Sequence, residues 1–103
     1  MSEYSADVAK YASPVNEAAV DAIVKFCGIA LRNADSSLVS GTDPKELGTV
    51  RDGFAAKKLG LSAEAADAGM QKVLERMKGV PRKSRVTFYY LLADATGTLS
   101  KLA

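Results

Sequence analysis

Histidine is absent from this 103-residue chain, cysteine occurs once and proline three times. Without histidine the chain lacks the commonest transition-metal ligand and the usual general base. One cysteine, Cys27, excludes an internal disulfide. Long apolar runs are also missing. The richest stretch, 18–31, is broken by Asp21, Lys25 and Gly28 and is too short to cross a bilayer, so no membrane association is expected. Residues 1–7 hold two acids and no apolar run, which argues against a secretory signal and makes the cytoplasm the expected compartment. No nucleophile elbow, glycine-rich phosphate loop or zinc spacing occurs, so neither enzyme activity nor a cofactor nor a metal is expected.

What is present fits an ordinary soluble domain: 48% hydrophobic and 25% charged residues, without repeats, linkers or low-complexity tracts. The whole chain, 1–103, reads as one helical domain with a single modest core. Net charge is +2, unevenly divided. Residues 1–56 carry five Lys/Arg against eight Asp/Glu, and residues 57–103 carry nine against four. A net +5 on the second half is small beside the charge of dedicated nucleic-acid binders, so attraction between the two halves is the better account of it.

Short Pro/Gly punctuation separates about five helical segments. The first spans about 2–11, with Tyr4, Val8 and Tyr11 at helical spacing. Asn16 caps the second, which runs to about residue 32. Its polar positions form a narrow stripe through Glu17, Asp21, Lys25 and Arg32, so it is expected to be the central helix, packed on most sides. Asp21 and Lys25 are spaced for an i,i+4 ion pair on that stripe. The third helix opens on Asp43-Pro44-Lys45-Glu46, a capping box in which Glu46 returns to the N–H of the cap. It points Leu47, Val50 and Phe54 inward despite Gly48 and Gly53. Ser62 caps the fourth, whose apolar face is Ala66, Met70, Val73, Leu74 and Met77. The last segment has strand propensity at Val86-Thr87-Phe88-Tyr89-Tyr90, but Phe88, Leu91, Leu92, Ala95, Leu99 and Leu102 keep a helical period for four turns and no second strand is foreseen to pair with it. The expected fold is an all-α bundle of about five helices around a central apolar helix 2.

The feature that stands out is the turn 78–85, where Lys78, Arg82, Lys83 and Arg85 gather at the start of the last, strongly apolar helix. Cations at a helix N-terminus oppose the backbone dipole. Either they hold an external phosphate or acidic partner, or acids from the first half of the chain neutralise them; the second is the better expectation. A helix-turn-helix fits poorly, since Glu75 lies four residues before Gly79 where a small residue is needed, and Arg85 lies six after it where an aliphatic one is needed. This argues against nucleic acid.

Other candidates are weaker. Cys27, inside the most apolar helix, reads as a small core residue. Asp7, Asp21, Asp52, Asp67 and Asp94 occupy positions a solvated helix face would use. The polar loop 35–43 contains Asp35, Ser36 and Ser37, and the twelve residues 35–46 resemble an EF-hand loop in length. Val39 and Ser40, however, stand where that loop needs an oxygen ligand and a glycine. The hydroxyls of this loop are better suited to satisfying its own backbone.

Several stretches taken together carry a resemblance: Asp7-Val8-Ala9-Lys10-Tyr11, Gly28-Ile29-Ala30-Leu31-Arg32, Asp35-Ser36-Ser37-Leu38-Val39, Val50-Arg51-Asp52, Lys57-Lys58-Leu59-Gly60-Leu61 and Lys83-Ser84-Arg85-Val86-Thr87-Phe88-Tyr89-Tyr90-Leu91-Leu92-Ala93. They resemble a bacterial family of small proteins known as domain of unknown function 2853. The resemblance implies a compact helical fold and brings no activity, substrate or catalytic residue. The expected function is accordingly a cytoplasmic, non-enzymatic module acting through a protein partner or as a homo-oligomer. An anion or nucleic-acid binder using 78–85, and an enzyme using the loop 35–43, are the alternatives.

Overall fold

The structure, a computed structural model, describes residues 3–12, 14–32, 38–39, 43–79 and 83–102. Its elements in chain order are α1 (Glu3–Val8), α2 (Glu17–Cys27), β1 (Leu38–Val39), α3 (Pro44–Val50), α4 (Ala63–Arg76), β2 (Lys83–Ser84) and α5 (Arg85–Ala95). Tight 3₁₀ turns follow α2 at Gly28–Arg32 and α5 at Leu99–Lys101, and a π-turn, Arg51–Ala55, extends α3. The all-α bundle of about five helices is what the apolar periodicities specify.

Local chemistry sets the helix ends. The Asn16 side chain accepts from the Ala19 N–H at 3.1 Å, and the Ser62 hydroxyl accepts from the Ala65 N–H at 3.2 Å. Asp43 accepts from the Lys45 N–H at 3.0 Å, with Pro44 in the first turn where no donor is needed. Gly28 ends α2 with φ +47°, its N–H returning to the Val24 carbonyl. That is why the second helix stops at Cys27 and the chain reaches Arg32 only through a 3₁₀ turn.

The centre of the bundle is α5, not α2. Every residue from Arg85 to Ala93 is buried, and α5 packs against α1, α2, α4 and β1. On α2 only Ala19, Val20 and Ile23 are fully buried. The difference from the expected central helix 2 has a physical origin: alanines at 18 and 22 count as apolar in sequence, yet they are small enough to face water at little cost. Asp21 and Lys25 are both exposed, and among the described residues neither enters an ion pair. The expected pair between them is therefore not made.

The last helix is also shorter than its apolar period suggests. It ends at Ala95; Gly97, with φ +70°, turns the chain, and Leu99 and Leu102 reach the core from the 3₁₀ turn instead. A strand partner exists after all, though a minimal one: β1 and β2 pair antiparallel, Leu38 with Ser84 and Val39 with Lys83. It ties the Leu38-Val39 end of the loop after α2 to the entrance of α5, while Val86-Thr87-Phe88-Tyr89-Tyr90 is helical as read.

Two contacts fasten α5 to the N-terminal helices. The Asn16 N–H donates to the Tyr90 hydroxyl at 2.9 Å. Fully buried Thr87 donates to Asp7, which is half-buried rather than on a solvated face. Buried Ser5 donates to Glu17 at 2.5 Å. Asp52 and Asp67 pair with Arg51, and Asp94 with Arg76, at the surface, as an exposed helix face allows.

Candidate functional site

Arg85 is the first residue of α5 and is only 7% exposed. A buried guanidinium needs several acceptors, because an unpaired charge in an apolar setting costs several kcal/mol. Arg85 has them. Its Nη1 donates to the Tyr89 hydroxyl at 3.0 Å, one turn along the helix. Its Nη2 donates to the Leu38 carbonyl of β1 at 3.4 Å and to the Glu46 carboxylate of α3. The guanidinium carbon also stands 5.7 Å from the Tyr89 ring centroid.

These partners set the electrostatics. Burial would lower the Arg85 pKa, but the hydrogen bonds and charges of Tyr89 and Glu46 outweigh it and hold the guanidinium above its ordinary value. Burial raises the Tyr89 phenol, against the opposing pull of Arg85. Burial likewise pushes the nearby Cys27 thiol up to about 11, again with Arg85 pulling the other way. Cys27 is thus a half-buried, protonated thiol at neutral pH, unsuited to nucleophilic work.

The cluster continues outward through aromatic rings. Tyr89 stacks on Phe54 with centroids 4.3 Å apart and planes 19° apart. Phe54 meets Phe26 at 5.3 Å and 57°, and the Lys58 ammonium lies 5.9 Å from the Phe26 centroid. The π-turn makes this possible. In a regular helix, residues 46 and 54 would point about 80° apart, at about 100° per residue. Bonds of the i→i+5 type, such as Ala56 N–H to Arg51 O, widen the turn and reduce the rotation per residue. Glu46 and Phe54 then both meet α5, at Arg85 and Tyr89, one turn apart. At the outer end of this chain Phe26 is 38% exposed, the one large hydrophobic side chain so exposed among the described residues.

The basic turn is therefore not one patch. Arg85 points into the domain, and Lys83 sits in β2 at 7% exposure. Lys78 is exposed in the turn that follows α4. Arg82 lies outside the described residues, as do Asp35, Ser36 and Ser37 and with them most of the loop named as the alternative enzyme site. Among the described residues no three acidic or thiol side chains gather to hold a metal ion, and no helix is long and apolar enough to cross a membrane.

The sequence reading gave Glu46 to the capping box alone and pointed Phe54 inward, and gave Tyr89 and Phe26 no role of their own. One signal could have found the cluster. An arginine at the head of a helix apolar on every side has to be buried, and so has to have an acid opposite it.

This arrangement defines a class: a small all-α domain built around its last long helix, with a buried ion pair at that helix's entrance. The family model that matches the chain covers residues 3–100 and is described as a protein of unknown function, DUF2853; the chain belongs to that family. No curated protein matches it.

Proposed function

We propose that the chain is a non-enzymatic module of the bacterial cytoplasm that works by protein–protein contact, through the exposed face of α2 around Phe26. One observation carries this reading: Phe26 stands 38% exposed at the end of an aromatic series anchored in the core. A large ring held rigidly at the surface loses little conformational freedom on binding, which is what makes aromatic side chains effective interface anchors. Of the cations read as suited to an anion, Arg85 is engaged by Glu46 inside the domain. That favours protein contact over phosphate binding.

The test is a photoreactive phenylalanine analogue at Phe26, with a control analogue at the exposed Lys72 of α4, both illuminated in cells of the source organism. A discrete cross-linked protein species from position 26 and none from position 72 is the expected result. No cross-linked protein from position 26 refutes the reading.

A further inference from the structure

The solvent-facing half of α2 divides lengthwise. One side is polar: Glu17, Asp21 and Lys25, all exposed. The other is apolar: exposed Ala18, half-exposed Ala22 and exposed Phe26, at intervals of four residues. Among the described residues these positions stay exposed or half-exposed, although one side of the Phe26 ring also packs on Phe54 and meets Lys58. We infer that this face pairs with the same face of a second copy of the chain, the two α2 helices running antiparallel about a twofold axis at Ala22. The inference rests on the reading of α2 as a docking face and names its occupant.

Charge complementarity selects the occupant. A twofold contact is self-complementary, so each residue must suit the residue its own mate presents. With Ala22 on the axis, Phe26 of one copy lies level with Ala18 of the other, where a methyl leaves room for the ring. Lys25 then falls midway between Glu17 and Asp21 of the other copy, about 3 Å along the axis from each at about 1.5 Å per residue, and these four acid–base approaches outweigh the one like-charge approach between the two Asp21 side chains at the centre. Both ends of the interface repeat this arrangement. Asp21 and Lys25 are available for it, since among the described residues neither has an ion-pair partner within its own copy. An unrelated partner would need the same acid–acid–base order by coincidence, whereas a second copy supplies it by symmetry. Three turns of helix bury less than the roughly 1,200 Å² at which stable complexes begin, so the dimer is a weak one, half-associated between about 10 µM and 1 mM.

Sedimentation velocity on the full chain from 5 µM to 1 mM tests this. The wild type is expected to pass from monomer to dimer over that range. Ala22→Arg, which sets like charges and bulk face to face on the axis, is expected to weaken association at least tenfold, with folding checked by circular dichroism. Lys25→Glu alone is expected to weaken it similarly, and mixing it with Asp21→Lys to recover part of the loss, because the two reversed charges then face each other. A wild type monomeric at 1 mM overturns the inference. So does a dimer indifferent to Ala22→Arg and to the charge reversals. If the wild type is monomeric while the position-26 cross-linker still captures a different protein, the second-copy inference falls and the docking face stands. If that probe captures nothing either, both fall.

Discussion

Arg85 and Glu46, 39 residues apart in sequence, meet as an ion pair inside the domain, the arginine almost wholly buried and the glutamate partly so. The acid comes from the negative half of the chain and the base from the positive half. The uneven charge division is thus satisfied, at this point, within the molecule. Removing one member of a buried pair costs more than the pair contributes net, because the other charge is left without a counter-charge. Arg85→Ala is expected to lower stability by about 3 kcal/mol. Glu46→Ala should cost less, about 1–2 kcal/mol, because Arg85 keeps Tyr89 and the Leu38 carbonyl. Urea unfolding of both single variants and the double variant checks this. Losses that add without coupling would mean the pair contributes nothing specific.

The raised pKa values of Cys27 and Tyr89 give a signed pH dependence. Both groups are kept neutral by burial and ionise more readily once unfolded. Above the unfolded thiol value near 9.0 the unfolded chain binds fewer protons than the native one, so stability falls as pH rises toward about 11, and it is unaffected by these groups at neutral pH. The same burial slows alkylation. A shift from 9.0 to about 11 leaves roughly a hundredfold less thiolate at neutral pH. Iodoacetamide labelling of Cys27 in the native protein should therefore lag a free thiol by about that factor and match it in urea. Native labelling at the free-thiol rate would contradict the burial.

Helix content was legible because caps and apolar spacing are local: Asn16, Asp43 and Ser62 each sit where their side chains satisfy the first free N–H groups. The central helix was not, because burial depends on what packs around an element, and α5 and α2 look equally apolar along the chain. The ion pair escaped for the same reason. Glu46 has a complete local explanation as a capping residue, and only the tertiary fold brings it to Arg85. The π-turn has no reliable sequence mark. Gly48 and Gly53 announced a weak helix there, but not the change of rotation that delivers Phe54 to Tyr89.

Tyr90 offers a test of how α2 is held to the centre. Its hydroxyl accepts from the Asn16 N–H at 2.9 Å, just where α2 begins. Tyr90→Phe keeps the ring and removes the acceptor, leaving a partly buried N–H unsatisfied. A loss of about 1–2 kcal/mol is expected, with hydrogen exchange quickening at the start of α2 before it does in α4. Uniform quickening throughout would show that the bond holds no particular element.

Gly69 and Gly53 should respond in opposite directions to the same change. A Cβ on Gly69 would lie 2.6 Å from the Thr96 methyl and 2.8 Å from a Leu92 methyl, where α4 packs against α5 and its C-terminal end. Neither neighbour yields easily. Leu92 is fully buried, and the Thr96 hydroxyl is bonded to the Leu92 carbonyl at 2.9 Å and to Thr98 at 2.9 Å. Overpacking of this kind costs about 1–3 kcal/mol, more than the up to about 1 kcal/mol alanine returns in helix propensity, so Gly69→Ala is expected to destabilise by about 1–2 kcal/mol. At Gly53 a Cβ would meet nothing within 4 Å, and its φ is not positive. Gly53→Ala should therefore recover up to about 1 kcal/mol. Thermal melts of the two variants beside the wild type decide the matter: Tm must fall for Gly69→Ala and rise for Gly53→Ala. A rise for Gly69→Ala would mean that α4 and α5 are not in the close contact on which the centre of the fold depends.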